Sequence, residues 1–154
     1  MHPLRWALLL PGLLIAGIAE PVVACSLVVQ TPGLLRASAD NTMLGSQVDG
    51  STPATLTSVL PLLSGVTVEV GAPTLLAAPG GYNSASQTLE VAYSASVIGL
   101  IDITSQPYTT SPTSFPTGLL GAVTMTMVMH NRVLNPSGFA PGNYSTRTVV
   151  TCHP

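Results

Sequence analysis

The chain has 154 residues, of which 46% are hydrophobic and only 6% charged, with four arginines, six acidic residues and no lysine. This length is enough for one domain with a sizeable core. The shortage of basic residues excludes a phosphate-binding or nucleic-acid-binding surface, which needs clustered Lys and Arg. A hydrophobic chain is not typical of disorder. With so few charges, copies of the protein repel one another only weakly, and association is not prevented. This composition indicates either a surface made for close packing or a compositional habit of the genome.

The first 24 residues are predicted to be a cleaved signal peptide. Arg5 supplies the positive charge, and the apolar run over residues 6–18 is too short and too interrupted to span a bilayer. Small residues permit cleavage after Ala19 or after Ala24. We therefore expect residues 25–154 to form one exported β-sandwich domain, located in the periplasm, at the cell surface or outside the cell.

Cys25 and Cys152 are the only cysteines, one at each end of the mature chain. We predict that they form a structural disulfide, which on the chain-entropy account would stabilise the fold by about 4 to 5 kcal/mol. The alternative is lipidation of Cys25, because residues 22–25 resemble a bacterial lipobox. Only in that case do we expect attachment to a membrane, and Cys152 would then be a lone thiol.

Several segments alternate apolar and polar residues, which is the period of half-buried β-strands. They are residues 66–70, 89–95, 123–130 and 144–152. Shorter apolar strand candidates are residues 25–30 and 97–103. Residues 55–63 suit a short helix by spacing, although their Thr, Val and Pro content weakens that assignment.

Glycine and proline clusters separate these segments and predict turns. They lie at residues 49–50, 71–73, 79–81 and 135–138, and the proline-rich residues 105–118 are predicted to form a long surface loop. Many short strands at close spacing predict an all-β fold, an immunoglobulin-like antiparallel β-sandwich.

The C-terminal stretch over residues 141–152, PGNYSTRTVVTC, resembles the closing strand of bacterial fimbrial subunits and spore-coat-U-like proteins. These proteins often end in Gly-x-Tyr followed by alternating Thr and Val, and Tyr144 is expected to anchor the corner of the sheet. The resemblance implies polymerisation by strand addition, in which an N-terminal arm completes a neighbour's sheet. At most residues 20–24 precede Cys25 after cleavage, which is too short for such an arm. Assembly through sheet edges or faces is the route that remains.

No catalytic, metal or cofactor site is predicted. The mature histidines, His130 and His153, have no second ligand at i+2 or i+4, and no segment resembles Gly-x-Ser-x-Gly. An enzyme would need His130 beside a serine and a carboxylate in one cleft, so we expect that the protein is not an enzyme.

Two tyrosines are candidates for ligand contact, because exposed aromatic rings stack on sugars. These are Tyr82, in a glycine-rich turn, and Tyr108, in the proline-rich segment. Tyr93 and Tyr144 are expected in the core. The row Met125, Met127 and Met129 is also expected to be core, with an adaptable interface as the alternative.

The leading hypothesis is an exported bacterial structural or adhesive protein of the cell surface, a fimbrial or coat subunit that assembles through sheet edges or faces. Its partners would be other copies of itself or related surface proteins, not nucleic acid. The alternative is a monomeric periplasmic or lipid-anchored binding module that uses the segment 105–118.

Overall fold

The computed structural model describes residues 26–59, 65–97, 101–117 and 124–153. Every regular element in these ranges is a β-strand, and every strand pair is antiparallel. The prediction of an all-β fold is therefore confirmed. The predicted signal peptide (residues 1–24) and Cys25 lie outside the described residues.

The first layer is a seven-stranded sheet built around one long central strand, β10. Its strands are β1 (Ser26–Thr31), β2 (Arg36–Ala37), β3 (Met43–Gly45), β4 (Ala54–Val59), β7 (Thr88–Val97), β8 (Ile101–Thr109) and β10 (Thr124–Leu134). Strand β7 pairs along almost the whole length of β10. On its other side, β10 pairs first with β4 and then with β3. Strands β1, β2 and β8 form the outer edges.

The second layer consists of a three-stranded and a two-stranded sheet that follow one another along the chain. Its strands are β5 (Thr67–Val70), β6 (Thr74–Ala77), β9 (Thr113–Pro116), β11 (Ser145–Arg147) and β12 (Val150–His153). β12 pairs with β5, and β11 pairs with β6. Between the two ladders, the Gly71 N–H donates to the Val149 carbonyl at 2.8 Å. The two paired strands therefore bend together at one place.

The main core lies between the layers and follows the predicted alternation. The residues Met125, Met127 and Met129 are all buried, together with Val68, Val70 and Phe115 of the second layer. Tyr93 is buried as predicted, and its hydroxyl lies 2.7 Å from the Thr113 hydroxyl of β9. That contact places β9 over β7, so β12 lies at the opposite side of the second layer, toward β4 and β1.

A second, aromatic cluster closes one end of the molecule. Tyr82 is stacked on Phe139 with ring centroids 5.6 Å apart, and Tyr144 meets both rings edge-on. The chain enters this cluster through Gly142, whose φ is 146°. A Cβ at this position would lie 2.6 Å from the Cβ of Pro79, so the turn before Tyr144 requires glycine.

Three predictions from the sequence need correction. Residues 97–103 are not one strand, because Val97 ends β7 and pairs with Ile101 of β8 across a hairpin. The described part of residues 105–118 is not a long loop: it contains the end of β8 and all of β9. Pro107 and Pro116 are accommodated because both strands are edges, where a missing N–H costs no ladder bond. The described part of 55–63 is a strand, β4, since its Leu56 and Ser58 side chains face the core.

The predicted strand over 144–152 keeps its alternation but is divided into β11 and β12. The side chains of Thr146, Thr148, Val150 and Cys152 are half-buried, whereas the residues between them are exposed. The interruption falls at the bend opposite Gly71. Because the alternation of half-buried and exposed residues continues through this bend, the apolar pattern alone did not predict it.

Candidate functional site

The first strand, β1, lies at an edge of the first layer that is open in the described part of the chain. It pairs with β4 on one side, and no described residue pairs with its other side. Alternate residues of an edge strand leave their N–H and C=O groups unpaired, which makes the edge a template for another strand. Residues Ser26–Thr31 contain no charge and no proline. This edge therefore lacks two of the features that prevent pairing, although its register with β4 shifts between Val29 and Thr31.

Exposed apolar side chains are concentrated at the same margin. Among the described residues, four of the six large hydrophobic side chains that are exposed lie here: Val28, Val29, Leu34 and Val59. Val28 is 50% exposed and Val29 is 62% exposed. Because successive strand residues point to opposite faces, these two valines make the edge apolar on both sides.

The other long edge of the first layer is protected. Strand β8 contains Asp102 and Pro107, and its register with β7 shifts at two places. A charge, a proline and bulges all hinder pairing at an edge, and the charge and the proline are the features that distinguish β8 from β1. Strand β2 has two residues and carries Arg36. In the described part of the chain, β1 is therefore the longest edge without charge or proline.

The outer face of the first layer is polar but almost uncharged. Thr57 of β4 lies opposite Thr126 of β10, and Val28 of β1 lies opposite Thr57. At one end of this face, Arg132 pairs with Glu90, leaving no net charge between them. A surface of threonine, serine and valine bordering β1 imposes little electrostatic repulsion on a second copy.

A groove of about 540 Å³ lies behind β1, between the first layer and the segment 142–148. Its floor is formed by buried apolar side chains, including Leu44, Leu56 and Met129. Asn131 spans the groove: its Nδ2 donates to the Thr146 hydroxyl at 3.1 Å, and its Oδ1 accepts from the Thr148 hydroxyl at 3.0 Å. The groove is therefore fixed at one end by a side chain that joins the two layers.

Tyr108, a predicted ligand-contact residue, lies on the outer part of β8 and is half-buried. The guanidinium carbon of Arg132 lies 3.8 Å from its ring centroid, and its hydroxyl donates to Gln47 Oε1 at 3.0 Å. Burial raises the pKa of the Tyr108 hydroxyl, an effect that the charge of Arg132 opposes and that of Glu90 reinforces. One face of the ring is thus occupied by Arg132, which ties β8 to β10.

Tyr82, the other predicted ligand-contact residue, lies within the aromatic cluster. Phe139 stacks on its ring, and the edge of the Tyr144 ring contacts it as well. Its hydroxyl donates to Gln87 Oε1 at 2.9 Å. These contacts support a packing role for Tyr82, and ligand contact at either tyrosine stays a prediction.

The fold brings His130 next to a serine. The Ser46 hydroxyl lies 3.3 Å from His130 Nδ1, and Ser46 is buried. Glu90 is paired with Arg132, and no carboxylate of the described residues is hydrogen-bonded to His130. No group of metal-ligating side chains is found within the described ranges. The arrangement that would favour an enzyme is therefore present only in part.

Cys152 lies on β12 and packs against the main core. Strand β12 is on the side of the second layer that lies toward β4 and β1, so Cys152 is near the side of the molecule where the described chain begins. The pairing of Cys152 with Cys25 stays a prediction, because Cys25 is outside the described residues.

Sequence reasoning identified β1 as a strand but not as a site. The signal that would have identified it is its lack of charge, combined with its position directly after the predicted signal peptide. The partnership of Asn131 with Thr146 and Thr148 depends on long-range folding and leaves no local pattern. Comparisons with family models, with curated proteins and with solved structures found no match.

Proposed function

We propose that this chain is an exported bacterial protein of the cell surface, a structural or adhesive subunit that assembles through its sheet edges. The observation that carries the proposal is the open edge of β1, which has neither charge nor proline and exposes Val28 and Val29. Such an edge promotes association, which is a liability for a monomer but is required of a subunit. Other copies of this chain, or related surface proteins, would be its partners.

An immunoglobulin-like β-sandwich behind a cleaved signal peptide is part of the same proposal. Two packed antiparallel layers are consistent with it, as is the hydrogen bond that the Tyr144 hydroxyl donates to the Ala140 carbonyl at 2.9 Å. Immunoglobulin-like domains often contain a tyrosine that bonds back to the backbone a few residues upstream in this way. The residues described here include no helix that would cross a membrane.

The test is expression of the full chain, with its own N-terminal segment, in a bacterial host. We expect the intact mass of the product to show removal of residues 1–19 or 1–24, and the protein to be recovered outside the cytoplasm. Unboiled gels of the surface fraction should show a series of multiples. A chain that keeps residues 1–24 and stays in the cytoplasm would contradict the proposal, and an added lipid mass would instead identify Cys25 as a membrane anchor.

The groove supports a second candidate function, a monomeric binding module of the periplasm. Its volume of about 540 Å³ lies in the range of small-molecule sites, and its floor is apolar. This candidate differs from the alternative predicted from the sequence, because residues 105–118 are largely edge strands and do not form a binding loop. A chain that remains monomeric but binds an apolar fluorescent probe, and loses that binding on Leu56→Lys substitution, would favour it.

A further inference from the structure

The open edge of β1 defines one geometry of contact between two copies. An unpaired strand edge is completed by a strand, since only another backbone supplies donors and acceptors at the same repeat. Residues Ser26–Thr31 carry no charge that would repel an identical strand. Antiparallel pairing of a strand with its own copy places the same surface on both sides, which is the arrangement of a two-fold dimer.

We infer that β1 pairs antiparallel with β1 of a second copy about a two-fold axis perpendicular to the sheet. The inference rests on the proposed function and specifies which edge makes the first contact. With Val28 at the axis, residues 26–30 of the two strands would overlap and form roughly four to six backbone hydrogen bonds. The two seven-stranded sheets then become one continuous sheet, with both outer faces on the same side.

Symmetry restricts the possible registers of this pair. An axis perpendicular to the sheet keeps each face on its own side, so the residue at the axis lies opposite its own copy. The ladder of β1 with β4 is regular from Ser26 to Val29, and its register shifts between Val29 and Thr31. Within the regular part we place Val28 at the axis, opposite Val28 of the second copy, because Val28 is 50% exposed and lies opposite Thr57 on the outer face. A cross-strand pair of β-branched side chains is favourable on a sheet surface.

This contact is closed. Each copy uses its one β1 edge, so pairing ends at two copies unless another surface takes part. The protected edge of β8, with Asp102 and Pro107, is unsuited to that second contact. Growth beyond the dimer then uses a different surface. The masses of larger assemblies on unboiled gels are expected to increase in steps of two copies.

The experiment compares three single variants by analytical ultracentrifugation of the purified full chain over a range of concentrations. Val28→Lys places like charges opposite one another and is expected to weaken the dimer at least about tenfold. Val28→Thr keeps a β-branched uncharged side chain and is expected to leave the dimer intact. Leu76→Lys is the matched control, because Leu76 is equally an exposed apolar residue of an edge strand, but in the second layer.

A second measurement tests the register directly. Val28→Cys is expected to form a disulfide-linked dimer under mild oxidation, whereas Leu76→Cys and the unsubstituted chain should not. Near-ultraviolet circular dichroism of each variant establishes that it is folded. A monomer at every concentration, or a folded Val28→Lys variant that dimerises as tightly as the parent, would overturn the inference.

The two proposals fail separately. If the Val28→Lys variant still assembles at the cell surface, the contact through β1 is wrong while the structural-subunit function stands. If the chain dimerises through β1 but is never exported, the contact stands and the surface function is wrong.

Discussion

The guanidinium of Arg132 covers one face of the Tyr108 ring while its Nε binds Glu90 at 2.5 Å. These three side chains come from β10, β8 and β7, so one arginine joins three neighbouring strands on the outer face of the first layer. Among the three arginines of the described residues, this one combines an ion pair with an aromatic contact. It is therefore expected to contribute to stability, unlike an arginine exposed to solvent.

We expect Arg132→Gln to lower the free energy of unfolding by about 1 to 3 kcal/mol, because Glu90 would keep a half-buried charge without its partner. Urea denaturation would measure the loss. Arg147→Gln is the control: Arg147 is exposed on β11, and its replacement should change stability by less than about 0.5 kcal/mol. Equal effects of the two substitutions would contradict a special role for Arg132.

Stability should also fall at alkaline pH through Tyr108. Burial raises the pKa of its hydroxyl above the ordinary value of 10.0, so the unfolded chain loses this proton at a lower pH than the folded chain. The contribution of the neutral hydroxyl is therefore complete below pH 10.0 and is lost as pH rises from there through the folded pKa.

Urea denaturation at neutral pH and just above pH 10.0 would measure this dependence in the parent chain and in Tyr108→Phe. Phe cannot ionise, so the variant should lose less stability over the same interval. Burial likewise raises the pKa of Tyr144, so some dependence should remain. An identical alkaline loss in both proteins would show that Tyr108 makes no contribution.

The bridge made by Asn131 predicts a local effect in the second layer. Asn131→Ala removes the partner of both the Thr146 and the Thr148 hydroxyl groups, and we expect a loss of about 1 to 3 kcal/mol. Amide hydrogen exchange should quicken in β11 before it does in β5. Asn131→Asp keeps the acceptor for Thr148 but loses the donor to Thr146. Its free energy of unfolding should therefore lie between that of the parent chain and that of Asn131→Ala. Uniform acceleration across the protein would argue against a local bridge.

The predicted disulfide between Cys25 and Cys152 has two consequences. The intact mass of the exported chain should be lower than that of the reduced chain by two hydrogen atoms. Reduction should lower the free energy of unfolding by about 4 to 5 kcal/mol, because the bridge closes a loop containing most of the mature chain. Cys152→Ser should match the reduced parent. A lipid mass on Cys25, or a free thiol on Cys152, would contradict the pairing.

Local alternation predicted the main strands and their buried faces. The methionines of β10 and Val68 and Val70 of β5 are buried where the period of two placed them. Alternation could not predict where one strand ends and the next one begins. Residues 97–103 form a uniformly apolar run, and the hairpin within it became visible only from the pairing of Val97 with Ile101.

The candidate site was less predictable than the fold. Whether a strand lies at an edge or at the centre depends on partners distant in sequence, so the composition of β1 alone did not show that its edge is open. Because proline is unsuited to a central strand, the sequence predicts a loop for the proline-rich segment, whereas Pro107 and Pro116 lie in edge strands. Because proline is tolerated in edge strands, the same segment is also compatible with the strands β8 and β9.

The position of β10 has a mechanical consequence. It is hydrogen-bonded to β7 on one side and to β4 and then β3 on the other. It also supplies Met125, Met127 and Met129 to the main core and Val133 to the aromatic cluster. A pulling force along the chain would have to shear two ladders at once before β10 could leave the sheet. This strand is therefore held more firmly than the strands at the edges of the first layer.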